Sequence, residues 1–180
     1  MKVFIVSDTH DKHRSLEMAL EQVGEIDVFI HLGDIGDGLE HIDAIVDCEK
    51  YMIGGNNDFF SSLPREREFL IGNKRVFITH GHKYIKGLNL AGLVEAGRSR
   101  GVDIVMFGHT HMPYLERLSD LTLLNPGSIS LPRQTDREPS FVLMEMELSG
   151  EVKYNTYYLG KDGRFVSLGI KGLDLFRSSD

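Results

Sequence analysis

The chain has 180 residues, a formal net charge of −7, 41% apolar and 26% charged residues, and a single cysteine, Cys48. That length suits one domain with a core of its own, and one cysteine excludes an internal disulfide. Basic residues scattered through an acidic chain argue against an extended grip on nucleic acid, which relies on dense Lys/Arg contacts to phosphates.

In chain order, "KVFIVS" (2–7) reads as a strand, and Leu16, Ala19, Leu20 and Val23 then share one helical face. "DVFIHL" (27–32) is a second strand, followed by a helical face of Leu39, Ile42, Ile45 and Val46. "KYMIG" (50–54) leads into an asparagine loop, "GNNDFF". "REREFLIGNKRVFITH" reads as two strands joined at Gly72-Asn73, a two-residue hairpin signal. A helical stretch with Leu90, Leu93 and Val94 precedes "DIVMFG" (103–108). "PYLERL", "LTLLN", "SFVLMEMEL" and "EVKYNTYYL" follow as strands, with Ser149-Gly150 as another turn. Alternation followed by antiparallel strands predicts an α/β (α+β) fold of mixed sheets with helices outside. One domain over 1–160 is expected, with 161–180 a C-terminal tail, loose or packed on it. The N-terminal apolar run is too short for a signal-peptide core and no run approaches a membrane span, so a cytoplasmic location is expected.

The polar residues at the strand ends carry the functional information. The runs end in Asp8-Thr9-His10, Gly33-Asp34, Gly54-Gly55-Asn56, His80-Gly81-His82 and Gly108-His109-Thr110-His111. Taken singly, each has a bland explanation: Asx turns or helix caps for the aspartates, a satisfied strand-end histidine for His80. Jointly they place seven nitrogen and oxygen donors at the carboxyl ends of five strands, the edge where open α/β sheets bind ligands. Asp8, His10, Asp34, Asn56, His80, His109 and His111 are too many for one tetrahedral ion. They suit two divalent ions sharing a carboxylate, with Asn56 as a neutral oxygen donor that leaves the site net positive.

"DTH" (8–10), "GDIGD" (33–37), "GNND" (55–58), the lone His80 and "GHTH" (108–111), in that order, resemble the calcineurin-like metallophosphoesterase superfamily. "NPGS" (125–128) is similar to its small single-domain YfcE-like phosphodiesterase branch, and the likeness spans residues 3 to about 145. The resemblance implies a two-layer β-sandwich flanked by helices. It also implies one ion on Asp8, His10 and His111, a second on Asn56, His80 and His109, and Asp34 bridging. It further implies a metal-bound water or hydroxide attacking phosphorus, with Mn²⁺ the expected ion and Ni²⁺, Fe²⁺ or Zn²⁺ alternatives. Asp37 is expected to orient a ligand histidine or close a turn. Where many members carry a general-acid histidine, this chain has Asn57, which can contact a phosphoryl oxygen but not deliver a proton.

A small phosphodiester is the expected substrate, with no membrane partner. The alternatives are a nuclease, weakened by the missing basic groove, and a scaffold that keeps the fold without catalysis. A homodimer is the commonest closed assembly, and nothing in the residues fixes the oligomeric state. His31 reads as packed or as a support behind a ligand rather than a ligand itself, His82 as a residue that could line the pocket, and His13 and His41 as uninvolved. Arg65 and Arg67 read as a solvated strand edge rather than as substrate contacts, and Phe59 and Phe60 as either a roof or a subunit contact.

Overall fold

The computed structural model describes residues 1–147 and 149–169. Eleven strands and three helices run in the order β1 (Lys2–Val6), α1 (Arg14–Val23), β2 (Val28–His31), α2 (Leu39–Ile45), β3 (Glu49–Met52), β4 (Glu66–Ile71), β5 (Lys74–Thr79), α3 (Ala91–Arg100), β6 (Ile104–Met106), β7 (Pro113–Arg117), β8 (Thr122–Pro126), β9 (Ser140–Met146), β10 (Val152–Leu159) and β11 (Phe165–Leu168). They form two mixed sheets, β11-β10-β9-β1-β2-β3 and β4-β5-β6-β8-β7.

Strand alternation decides the layers. In β1, Val3 and Ile5 join Val28, Ile30, Val76, Ile78, Ile104 and Met106 in a core shared by both sheets. The intervening Phe4 and Val6 join Leu16, Ala19, Phe29 and Ile42, so the other face of the first sheet lies under α1 and α2. The second sheet repeats the arrangement, its Phe77, Val105 and Phe107 packing on Leu93 and Ala96 of α3. A strand covered on both faces must be apolar throughout, which is why "VFIV" does not alternate. The result is the expected β-sandwich with helices outside.

Gly72-Asn73 joins β4 to β5 as a two-residue loop, with Ile71 opposite Lys74. Ile45, expected on the buried face of α2, is instead 37% exposed, because the helix ends there and the chain turns extended at Val46. Of the expected tail, Phe165–Leu168 pairs antiparallel with β10 as an edge strand. Residues 170–180 lie outside the described residues. No helix among the described residues is long and apolar enough to cross a membrane.

What matters for the site is direction. β1, β2 and β3 run parallel, as do β5, β6 and β8, so their carboxyl ends collect at one edge of each sheet. Gly108 allows the two edges to meet: a Cβ there would collide with Ser7 Oγ and lie 3.0 Å from Asp8 Oδ2.

Candidate metal centre

Asp8 and His10 follow β1, Asp34 follows β2, Asn56 follows β3, His80 follows β5, and His109 and His111 follow β6. Backbone bonds tie these loops together: Asp8 N–H to Gly33 O and His10 N–H to Asp34 O, both 3.0 Å, and Gly108 N–H to His80 O, 3.1 Å. Five of the seven residues, Asp8, His10, Asp34, His109 and His111, have φ between 44° and 66°. Left-handed backbone at non-glycine residues costs about 1–3 kcal/mol each and persists where the surroundings impose it.

Asp8, His10, Asp34 and His111 each offer a ligand atom, all within 4.8 Å of one another. His111 Nε2 lies 3.1 Å from Asp8 Oδ1, and His10 Nε2 lies 3.7 Å from Asp34 Oδ2. His80 Nε2 approaches the same Asp34 oxygen at 3.4 Å, so Asp34 stands between the two sheets' contributions. The His109 ring stands edge-on to His80, centroids 5.3 Å apart. Asn56 directs a buried Oδ1 that has no hydrogen-bond partner.

Two histidines have their tautomers set by carbonyl oxygens, which only accept. His80 Nδ1 donates to Leu32 O at 2.7 Å and His111 Nδ1 to Leu131 O at 2.6 Å. Both Nε2 atoms therefore face the carboxylates with a lone pair to offer a cation. Asp8 Oδ1 and Oδ2, His10 Nε2, Asn56 Oδ1 and His80 Nε2 are all buried without a hydrogen-bond partner. Each such atom costs about 1–3 kcal/mol, a cost that a cation held by the Asp8, His10, Asp34 and His111 cluster would offset. The donors are imidazole nitrogens and hard oxygens with no thiolate, and they fit divalent ions.

Burial alone would raise the Asp34 carboxyl, but the neighbouring His80 and two Asn57 donors hold it well below the usual range. Burial acts on Asp8 in the same sense and is likewise overcome, by His111 and His80. Burial would lower His80, yet Asp34 and Asp8 pull it up.

His31 stays outside the cluster. Its Nδ1 accepts from Gly33 N–H at 3.2 Å, leaving Nε2–H to donate to Thr9 Oγ1 at 3.1 Å. Complete burial lowers its pKa to about 4. The unfolded chain would protonate near 6.5 while the folded chain stays neutral, so stability is lost as pH falls from about 6.5 towards 4, by on the order of 3 kcal/mol. Urea melts of metal-free protein are expected to lose stability across that window and to keep most of it in His31→Gln. An identical loss in the variant would assign the drop to other groups.

The calcineurin-like phosphoesterase superfamily domain matches residues 1–149. The chain belongs to that superfamily. A probable metallophosphoesterase of Methanocaldococcus jannaschii is 35% identical over 138 residues, 74% of this chain and 70% of that protein. The probable metallophosphoesterase YsnB of Bacillus subtilis is 32% identical over 149 residues, 82% of this chain and 85% of its own. Among solved structures, Vps29 of Entamoeba histolytica complexed with Zn²⁺ superposes with a TM-score of 0.78 at 26% identity, covering 93% of this chain and 97% of that one.

Within this metallophosphoesterase fold, several residues have tasks the sequence did not reveal. Asp58 is buried, and its carboxylate accepts from the N–H groups of Ile35, Gly36 and Gly55, locking the asparagine loop against the Asp34 loop. Arg65 completes the clamp through Gly55 O and Asp58 O, rather than forming a solvated edge. Ser128 and Ser130 both donate to Asp8 O at 2.8 Å, which gives "NPGS" a structural purpose. Asp37 is exposed and touches no histidine here; its N–H donates to Asp11 Oδ1 at 2.5 Å, so the turn-closing carboxylates are Asp11 and Asp58. His82 lies 5.6 Å from the His80 ring and 6.1 Å from that of His109, at the edge of the cluster. His13 and His41 pair with each other at 4.7 Å on the helical side.

Proposed function

We propose that this metallophosphoesterase is a phosphodiesterase using two divalent ions, with manganese the expected metal and nickel, iron or zinc alternatives. Asp8, His10 and His111 would hold one ion, Asn56, His80 and His109 the other, and Asp34 both. The observation that carries the reading is the set of buried, partnerless nitrogen and oxygen atoms gathered around Asp34. Bound ions would supply Lewis acidity towards phosphoryl oxygens and lower the pKa of water towards neutrality.

The chain's own groups prepare that chemistry. Asn57 N–H donates to Asp34 Oδ1 at 2.8 Å and its amide donates to Oδ2 at 2.6 Å, so the central carboxylate cannot rotate. The sequence suggested a phosphoryl contact for Asn57. The structure spends one amide N–H on Asp34, leaving the second for a substrate oxygen. An amide transfers no proton to a leaving group, so esters whose leaving groups need little protonation are favoured. Asn57→His is therefore expected to accelerate poor leaving groups selectively, by up to about 10²-fold. A uniform change across a leaving-group series would defeat the missing-acid account.

The direct test is hydrolysis of bis(p-nitrophenyl) phosphate and p-nitrophenyl phosphate by chelator-stripped protein, with and without Mn²⁺. Metal-restored activity that prefers the diester and falls in Asn56→Ala is expected. The likeness to Vps29 supports a second reading, a non-catalytic binding protein on the same fold. Because that neighbour is itself complexed with Zn²⁺, metal occupancy does not separate the readings. Protein that holds two ions and hydrolyses neither ester would favour the scaffold.

A further inference from the structure

Phe59 and Phe60 stand two and three residues beyond Asn57 and are 75% and 103% exposed. They occupy the centre of a turn closed by Ser61 N–H on Asp58 O at 3.4 Å. Such positions ordinarily take Gly, Asn, Asp or Ser, and two aromatics there add little or nothing to the core. The turn is not slack: Asp58 beneath it is buried on three backbone N–H groups, and Arg65 grips its carbonyl. Asn57, exposed yet bonded to Asp34, joins the candidate metal centre to this apex.

Two phenylalanines offer roughly 300–500 Å² of surface, at about 150–250 Å² each, against about 800 Å² per partner in a stable protein interface. In the chain, the polar Ser61 and Ser62 follow directly. The patch is too small to hold a second chain and large enough for one planar ring. We infer that Phe59 and Phe60 form a stacking platform for an aromatic or heteroaromatic ring on the phosphoester bound at the metal centre. The inference rests on the phosphoesterase reading and names its substrate class: phosphodiesters bearing a ring, of nucleobase or aryl type, rather than purely alkyl or polyol esters.

Binding to Mn²⁺-loaded protein tests it without requiring turnover, using phenylphosphonate and methylphosphonate as probes. The wild type is expected to bind the phenyl compound about tenfold more tightly, the scale of one ring stacked on exposed aromatics. In the Phe59→Ser/Phe60→Ser double variant that ratio should fall to near one, with methylphosphonate affinity unchanged, and Phe60→Tyr should retain it. Equal affinities in the wild type, or a ratio that survives the double substitution, would overturn the platform while leaving the metal site standing. Binding of neither phosphonate would overturn the phosphate-site reading and the platform with it. Sedimentation velocity separates the subunit-contact alternative: a mass change in the double variant with an intact ring preference would also overturn the inference.

Discussion

Asp34→Asn is expected to abolish ion binding and hydrolysis together, lowering the rate by on the order of 10³-fold, about 4 kcal/mol of barrier. Asp34 is approached from both halves of the cluster, by His10 at 3.7 Å and His80 at 3.4 Å, closer than the same two rings come to Asp8 at 3.9 and 4.0 Å. Its two oxygens also accept two separate Asn57 donors. An asparagine placed there turns its own N–H towards one of those donors whichever way it is rotated, so orientation is lost along with charge. The metal-free variant should still fold, because it removes one of two buried carboxylates beside one another and creates no cavity. The check is thermal melting with and without Mn²⁺. Wild type should gain about 2.7 kcal/mol at a free metal concentration 100 times Kd. Asp34→Asn should gain almost nothing. A variant stabilised as fully as wild type would remove Asp34 from the metal site.

Gly55→Ala is the second large effect, and it needs no change of charge. A Cβ at Gly55 would overlap Asp34 Oδ1 and the Asp34 backbone nitrogen, while the Gly55 N–H is already committed to Asp58. Neither obstacle is a flexible side-chain end. Asp34 Oδ1 is fixed by Asn57 N–H, and the backbone nitrogen belongs to the turn that presents the carboxylate. Overpacking of this kind costs about 1–3 kcal/mol, and any relaxation moves Asp34 away from His10 and His80. Urea melts and Mn²⁺ titration of Gly55→Ala should show lower stability and loss of ion binding. Gly169, whose added Cβ would meet nothing within 4 Å, is the control and should change neither. Wild-type metal affinity in Gly55→Ala would show that the close approach is not required.

These two positions also mark what was legible in the sequence. The strands, the Gly72-Asn73 hairpin and the helical faces followed from apolar periodicity, because a period of two or of 3.6 is written locally. Donor residues such as Asp8, Asp34 and His109 stood out because each stands one small residue beyond a buried apolar run. Sheet order was not legible: β1 lies between β2 and β9, and its pairing with β9 depends on contacts across more than a hundred residues. Nor were the positive φ angles at Asp8, His10, Asp34, His109 and His111, since only glycine advertises that conformation in sequence. Asp58 and Arg65 escaped for a related reason. Their partners are backbone groups of other loops, and no spacing rule records where a loop's N–H groups point.

The most direct test of the two-ion account is a single titration of chelator-stripped protein with Mn²⁺, following bound metal per chain and hydrolysis of bis(p-nitrophenyl) phosphate in the same samples. The account predicts saturation at two ions per chain, with activity rising only as the second site fills. Full activity at one ion, or two bound ions with no hydrolysis, would contradict it.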